Sequence, residues 1–389
     1  MKTNSTVISG RLLVLAVFAN IILKPLLTVS PEKHEIVGEA TLAAAYIFDA
    51  LILLIVLLNG RYILKKAHPV LFAGALAAGA HLLSTIIFDS RYNSPLTSIS
   101  YSLGTLLPFA LLVVIVRFCR GYPSQFNRLA GLSCIFIVAI FLVSAAILDP
   151  YDNRGVPWWG IYMHGLHSTA YVFGAAVVYL AVICIRSQNL VSAVGLLSGG
   201  FLCLFLGWGV RSASFAVLIL LIGILWRKMH MPSVFKAMVI LSAFMSVILV
   251  LTLAVEPEDL SQVSSGRTVM YAAKVLQLLD NSALAWIIGN GAGSDLIESD
   301  IWWWAAKGAH SDVITFLVEG GIISLISIMY CCYWVFIRVD YHGKLIMVGL
   351  LFTSVISNGY LVRPEAAYLL CFALALCFVG RAKRGHINE

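Results

Sequence analysis

The chain has 389 residues, 60% of them hydrophobic and 12% charged, with a net charge of +7 and a mean hydropathy of +0.93. Soluble domains are about half apolar and about a quarter charged, so this composition excludes one and describes a polytopic membrane protein. The positive balance does not imply nucleic acid, because membrane proteins gather Lys and Arg on cytoplasmic loops.

The apolar runs are continuous rather than alternating, which selects helices over a barrel. An all-α fold with about 12 transmembrane helices is expected, at 8–28, 40–58, 69–88, 98–116, 129–148, 164–185, 190–209, 213–226, 233–255, 311–337, 344–360 and 365–380. The chain reads as a single integral membrane domain, 1–389. The first run lacks a small-residue cleavage site, so it reads as a span and not a removed leader. With the N-terminus inside, seventeen of the 26 basic residues fall on inner loops and nine on outer ones. That bias puts both termini in the cytoplasm and the large loop 256–310 outside. The eight cysteines lie in apolar runs or inner loops, and no disulfide is expected. Asp49 and His81 fall plainly inside spans and form a candidate pair.

The outer loops are rich in turn residues and aromatics. Trp158 and Trp159 suit an interfacial belt, or a platform on which a sugar stacks. His164 and His167 open the sixth span as a candidate pair. Arg211 sits in the tight turn Gly207–Ser214 between two apolar runs. A cation so near hydrocarbon is costly and marks a pathway or site. Its planar fork suits phosphate, unless it only reaches up to water.

In the large loop, Val269, Ala272, Ala273, Leu276 and Leu279 recur at three and four. That spacing predicts an amphipathic helix over 267–279 lying on the membrane surface, with Ser264 or Ser265 as its cap. Arg267 opens it, where the helix N-terminus already favours an anion; otherwise it is a solvated surface arginine. Lys274, on the same helix without the glycine context, is expected to tolerate alanine. Gly289–Ser294 lacks the Lys-Ser or Lys-Thr of a P-loop. It is a flexible turn, or a place where a sugar or phosphate approaches the backbone of Gly291. The Trp302–Trp304 cluster and Lys307 follow, and then His310, Ser311 and Asp312 open a span. A histidine there serves as base or neutral donor, or merely packs. Three outer histidines match no zinc spacing, so no metal is expected.

Three pieces in order resemble the O-antigen ligase and polymerase superfamily of bacterial membrane glycosyltransferases. They are Val210-Arg211-Ser212-Ala213 in an outer turn, Gly266-Arg267 followed by Ile288–Ser294, and His310-Ser311 with Gly321-Ile322-Ile323-Ser324 nine residues on. Serine stands where the last glycine is usual, and its small size preserves close helix packing. The resemblance covers roughly 205–325, and before that only the topology is similar. It implies a GT-C-like fold in the bacterial inner membrane with the site facing the periplasm. It also implies inverting, metal-independent and cofactor-free transfer of a saccharide from undecaprenyl diphosphate to an acceptor hydroxyl, on lipid A core or on another lipid-linked glycan. By that resemblance Arg211 and Arg267 would hold the diphosphate, and His310 would activate or orient the acceptor. Gly291, Lys307, Ser311 and His167 would line the substrate.

Two other classes remain open. A transporter or flippase of a lipid-linked saccharide suits twelve spans, although transporter sites lie near the midplane and the polar residues here cluster on one side. A peptidoglycan polymerase would need an acidic outer-loop site, from Asp295, Glu298 or Asp300.

Overall fold

Local sequence sets where the helices begin and break. The computed structural model describes residues 2–28, 39–88, 95–147, 166–228, 267–297 and 308–385. The expected span 233–255, the tryptophans of both aromatic clusters, His164, Glu298, Asp300 and Lys307 lie outside them. The described residues form thirteen α-helices. The first five are α1 (Lys2–Thr28), α2 (Glu39–Leu58), α3 (Gly60–Ile87), α4 (Pro95–Gly121) and α5 (Pro123–Ile147). Then come α6 (Leu166–Arg186), α7 (Leu190–Leu202) running into a π turn (Cys203–Gly207), and α8 (Arg211–Lys228). The large loop contributes α9 (Arg267–Leu279) and α10 (Ala283–Ile288), followed by α11 (Asp312–Phe336), α12 (Tyr341–Ile356) and α13 (Pro364–Gly385).

Proline opens α4, α5 and α13, as suits a first turn whose N–H groups have no partner. α3 starts well before the apolar run expected at 69. It continues through a kink at Ala67 (φ −144°) just ahead of Pro69, whose ring and missing N–H break the ladder. Among the described residues, five helices are long and apolar enough to cross a membrane: α3, α5, α6, α7 with its π turn, and α11. The chain therefore has the character of a helical membrane protein.

The centre is built on α6 and α13, whose residues 169–182 and 366–378 are buried without interruption. Helices apolar on every side belong in an interior or in lipid. α13 packs on α4 and α6, while α6 also carries α5, α7 and α8. A second layer sets α11 against α3, α10 and α12, with α12 against α8. Leu57, Phe72, Ile86, Phe136, Ile326 and Tyr333 are exposed on the flanks, an apolar girdle suited to hydrocarbon rather than water. One end of the bundle is tied by basic residues. Arg11 donates to Gln125 at 3.0 Å and Arg117 to Asn59 at 2.6 Å, and Arg186 pairs with Asp340. The opposite end gathers the starts of α6, α8 and α11, the α12–α13 turn and the loop helices.

Candidate functional site

The turn holding Arg211 is built from its neighbours. The π turn places Trp208 N–H 2.9 Å from Cys203 O and Val210 N–H 2.9 Å from Leu204 O. Buried Trp208 anchors it edge-on to Phe173, ring centroids 4.8 Å apart. Gly209 supplies the positive φ (65°) that reverses the chain. Arg211 is then the first residue of α8 and is exposed, while Ser212, Ala213 and Ser214 behind it are buried.

The start of α11 lies at the same end. His310 has φ 53°, one of two non-glycine residues with positive φ among those described. Ser311 is buried, its hydroxyl donating to Ser354 O at 3.3 Å. Asp312 is also buried, and its Oδ1 accepts the Gly359 N–H at 2.7 Å. The carboxylate thereby closes the α12–α13 turn onto the first turn of α11. Just beyond that turn, the Arg363 guanidinium lies 5.0 Å over the Tyr171 ring. It donates to Ser168 Oγ at 2.7 Å and to Asn358 O at 3.1 Å. Burial pulls its pKa down, opposed by Tyr171, Asp312 and Glu365, and an arginine starts so high that it stays charged. The Tyr171 hydroxyl sits beside Ser212 and Ser357 without a well-aligned hydrogen bond. Tyr171 thus joins the segment after Arg211 to the α12–α13 turn, on which Asp312 also closes.

The glycine stretch is occupied by protein. α11 breaks at Gly321, with φ 65°, and a broken helix leaves carbonyls without their usual partners. Asn290 N–H donates to Val318 O at 2.8 Å and Gly291 N–H to Glu319 O at 3.0 Å. The large loop therefore completes the broken ladder, which lipid would not. Glu319 Oε1 accepts Gly293 N–H at 2.9 Å, and Thr85 Oγ1 of α3 accepts Ala292 N–H at 3.0 Å. Ser324 is buried beside Gly320, where a Cβ would meet its side chain, so only a small residue fits at 324.

α9 spans the residues that its periodicity predicts, yet its faces differ from the simple reading. Met270, Lys274 and Leu278 are buried, whereas Val275, Leu276 and Leu279 are exposed, as are Leu284 and Ile287 of α10. The apolar stripe faces away from the protein, as a helix facing lipid would. Lys274, expected to tolerate alanine, is instead fully buried. Its ammonium pairs with Asp295 at 3.1 Å, donates to Gln277 at 3.1 Å and also bonds the Asp295 carbonyl. Burial pulls its pKa down while Asp295 raises it. Asp295 Oδ2 in turn accepts from Ala309 N–H at 3.0 Å and Thr315 Oγ1 at 2.7 Å. Asp295 is thus engaged as a structural link, which leaves a catalytic carboxylate at that position without support.

The structure therefore brings Arg211, His310, Ser311 and Arg363 to one end of the bundle, with His167 exposed beside Ser168 in the first turn of α6. Arg267 is the first residue of α9, and only its main chain is described. Gly291 is buried with its N–H engaged. Asp49 accepts from Asn20 at 2.6 Å, while His81 lies against Phe316, ring centroids 6.3 Å apart. Sequence reasoning missed Arg363, Asp312 and Glu319 as buried or half-buried charged groups. The adjacent Arg363-Pro364-Glu365 before the last span was the available signal. Compared with known protein families, characterised proteins and solved structures, the chain matches none.

Proposed function

We propose that this protein transfers a saccharide from a polyprenyl diphosphate to an acceptor hydroxyl at the outer membrane–water boundary. The reading rests on the resemblance in Arg211, Arg267 and His310, with the bilayer, a lipid-linked donor and a lipid A core or lipid-linked glycan acceptor as partners. What supports it most is that Ser212 and Asp312, the residues just after Arg211 and Ser311, lie with Arg363 around Tyr171, which sets the start of α8 and the start of α11 at one end of the bundle. The acceptor oxygen attacks the anomeric carbon while the bond to the diphosphate oxygen breaks. Arg211 and Arg267 stabilise the departing charge, and His310 takes or orients the acceptor proton. Ligase and polymerase share this chemistry and differ only in the acceptor.

The test is transfer from a lipid-linked saccharide by variants matched for membrane expression. Arg211→Lys and Arg267→Lys each lose about 10²–10³ in rate, because a point charge replaces a bidentate fork. His310→Ala loses about 10²–10⁴. Near-normal transfer in both lysine variants would overturn the clamp.

Transport of a lipid-linked sugar is the second reading, favoured by Glu319 and His81 buried within α11 and α3. Vesicles that move the labelled lipid across the bilayer without making a glycosidic bond would establish it instead.

A further inference from the structure

A cavity of about 520 Å³ opens at the other end of the bundle, between α3, α4, α11 and α13. Its walls include Lys66, Arg120 and Arg338 and, among the described residues, no carboxylate. Arg338 is held in place, its guanidinium 4.1 Å over the Trp334 ring and its Nη1 donating to Trp334 O at 3.3 Å. On the opposite wall, Tyr62 lies under Arg117, 5.0 Å away, and Arg117 is itself engaged by Asn59. Val113, Val116 and Phe378 line the cavity with apolar surface.

Three cations around one opening repel each other unless an anion sits among them. A phosphate satisfies a guanidinium fork best, and the apolar lining suits a hydrocarbon chain. We propose that this cavity binds an anionic phospholipid, its phosphate between Lys66, Arg120 and Arg338 and an acyl chain against Val113, Val116 and Phe378. Basic recesses between membrane helices recognise anionic headgroups in this way. The site is separate from the one at His310: the part of α11 beyond its break at Gly321 runs to Phe336 and by itself spans roughly 20 Å.

Detergent-purified protein is titrated with short-chain phosphatidylglycerol, phosphatidylcholine of the same chains, and inorganic phosphate, following the thermal midpoint. Phosphatidylglycerol raises the midpoint saturably, and phosphatidylcholine or phosphate at equal concentration raises it far less. Arg120→Gln with Arg338→Gln weakens the apparent affinity for phosphatidylglycerol about tenfold or more. Arg227→Gln, an exposed cation outside the cavity lining, leaves it unchanged. Native mass spectrometry reads the same variants for a retained lipid, so a double variant with a lowered midpoint still reports binding. Equal responses to both lipids, or equal weakening by Arg227→Gln, would overturn the site as general charge attraction. Inorganic phosphate that binds as tightly and displaces phosphatidylglycerol would overturn the lipid as its occupant.

Discussion

Gly289 and Gly321 lie backbone against backbone. Their φ angles are 83° and 65°, and a Cβ on either would strike the other's segment. The first ends α10 in the large loop, and the second is the break in α11. A residue with a side chain at either position meets two costs, the left-handed φ and the collision. Gly209 has φ 65° but open space around it, so it carries the first cost alone. Gly209→Ala should therefore lose about 1–2 kcal/mol. Gly289→Ala and Gly321→Ala should lose clearly more, read as larger drops in thermal midpoint. Equal drops in all three would show that the two glycines serve conformation only.

Lys274 and Asp295 give a second prediction. Removing one partner of a buried pair leaves an uncompensated charge, at a cost of about 3–5 kcal/mol. Lys274→Ala should show that loss in thermal midpoint. Lys274→Met with Asp295→Asn should recover much of it, because the amide oxygen still accepts from Ala309 and Thr315. A Lys274→Ala protein as stable as the parent would contradict the burial.

The φ of 53° at His310 allows conformation to be separated from chemistry. Asparagine and glycine tolerate the left-handed region. His310→Asn and His310→Gly should keep the parent thermal midpoint yet lose transfer. His310→Ile should lose both, with about 1–2 kcal/mol of strain added. Full transfer by His310→Asn would remove the imidazole from the reaction.

Orientation is testable by labelling in intact spheroplasts. In a background with Cys184 and Cys203 replaced by serine, since the other six cysteines are buried, Asp280→Cys should react with an impermeant thiol reagent. Lys65→Cys, at the opposite end of the bundle, should react only after lysis. The reverse pattern would turn the protein over and move the site at His310 to the cytoplasm.

Much of the architecture was legible in the amino acids alone. Continuous apolar runs placed eleven of the twelve expected spans on helices of the structure, because helix formation in lipid depends on local composition. The three-and-four spacing from Arg267 to Leu279 gave α9 to the residue, and the tight turn before Arg211 followed from Gly207 and Gly209 between two apolar runs. Tertiary contacts decided what those elements face. Nothing local distinguishes a glycine that approaches a ligand from one that approaches a helix. Gly291 meets Glu319 across 28 residues only because α11 breaks where the loop can supply N–H groups. Likewise, a lysine reads as solvated until its carboxylate is known. Lys274 is buried because Asp295, brought round by the glycine stretch, meets it there. Periodicity encodes one face of one helix, whereas the partner of a buried charge or a bare backbone is set by segments that meet only in the folded chain.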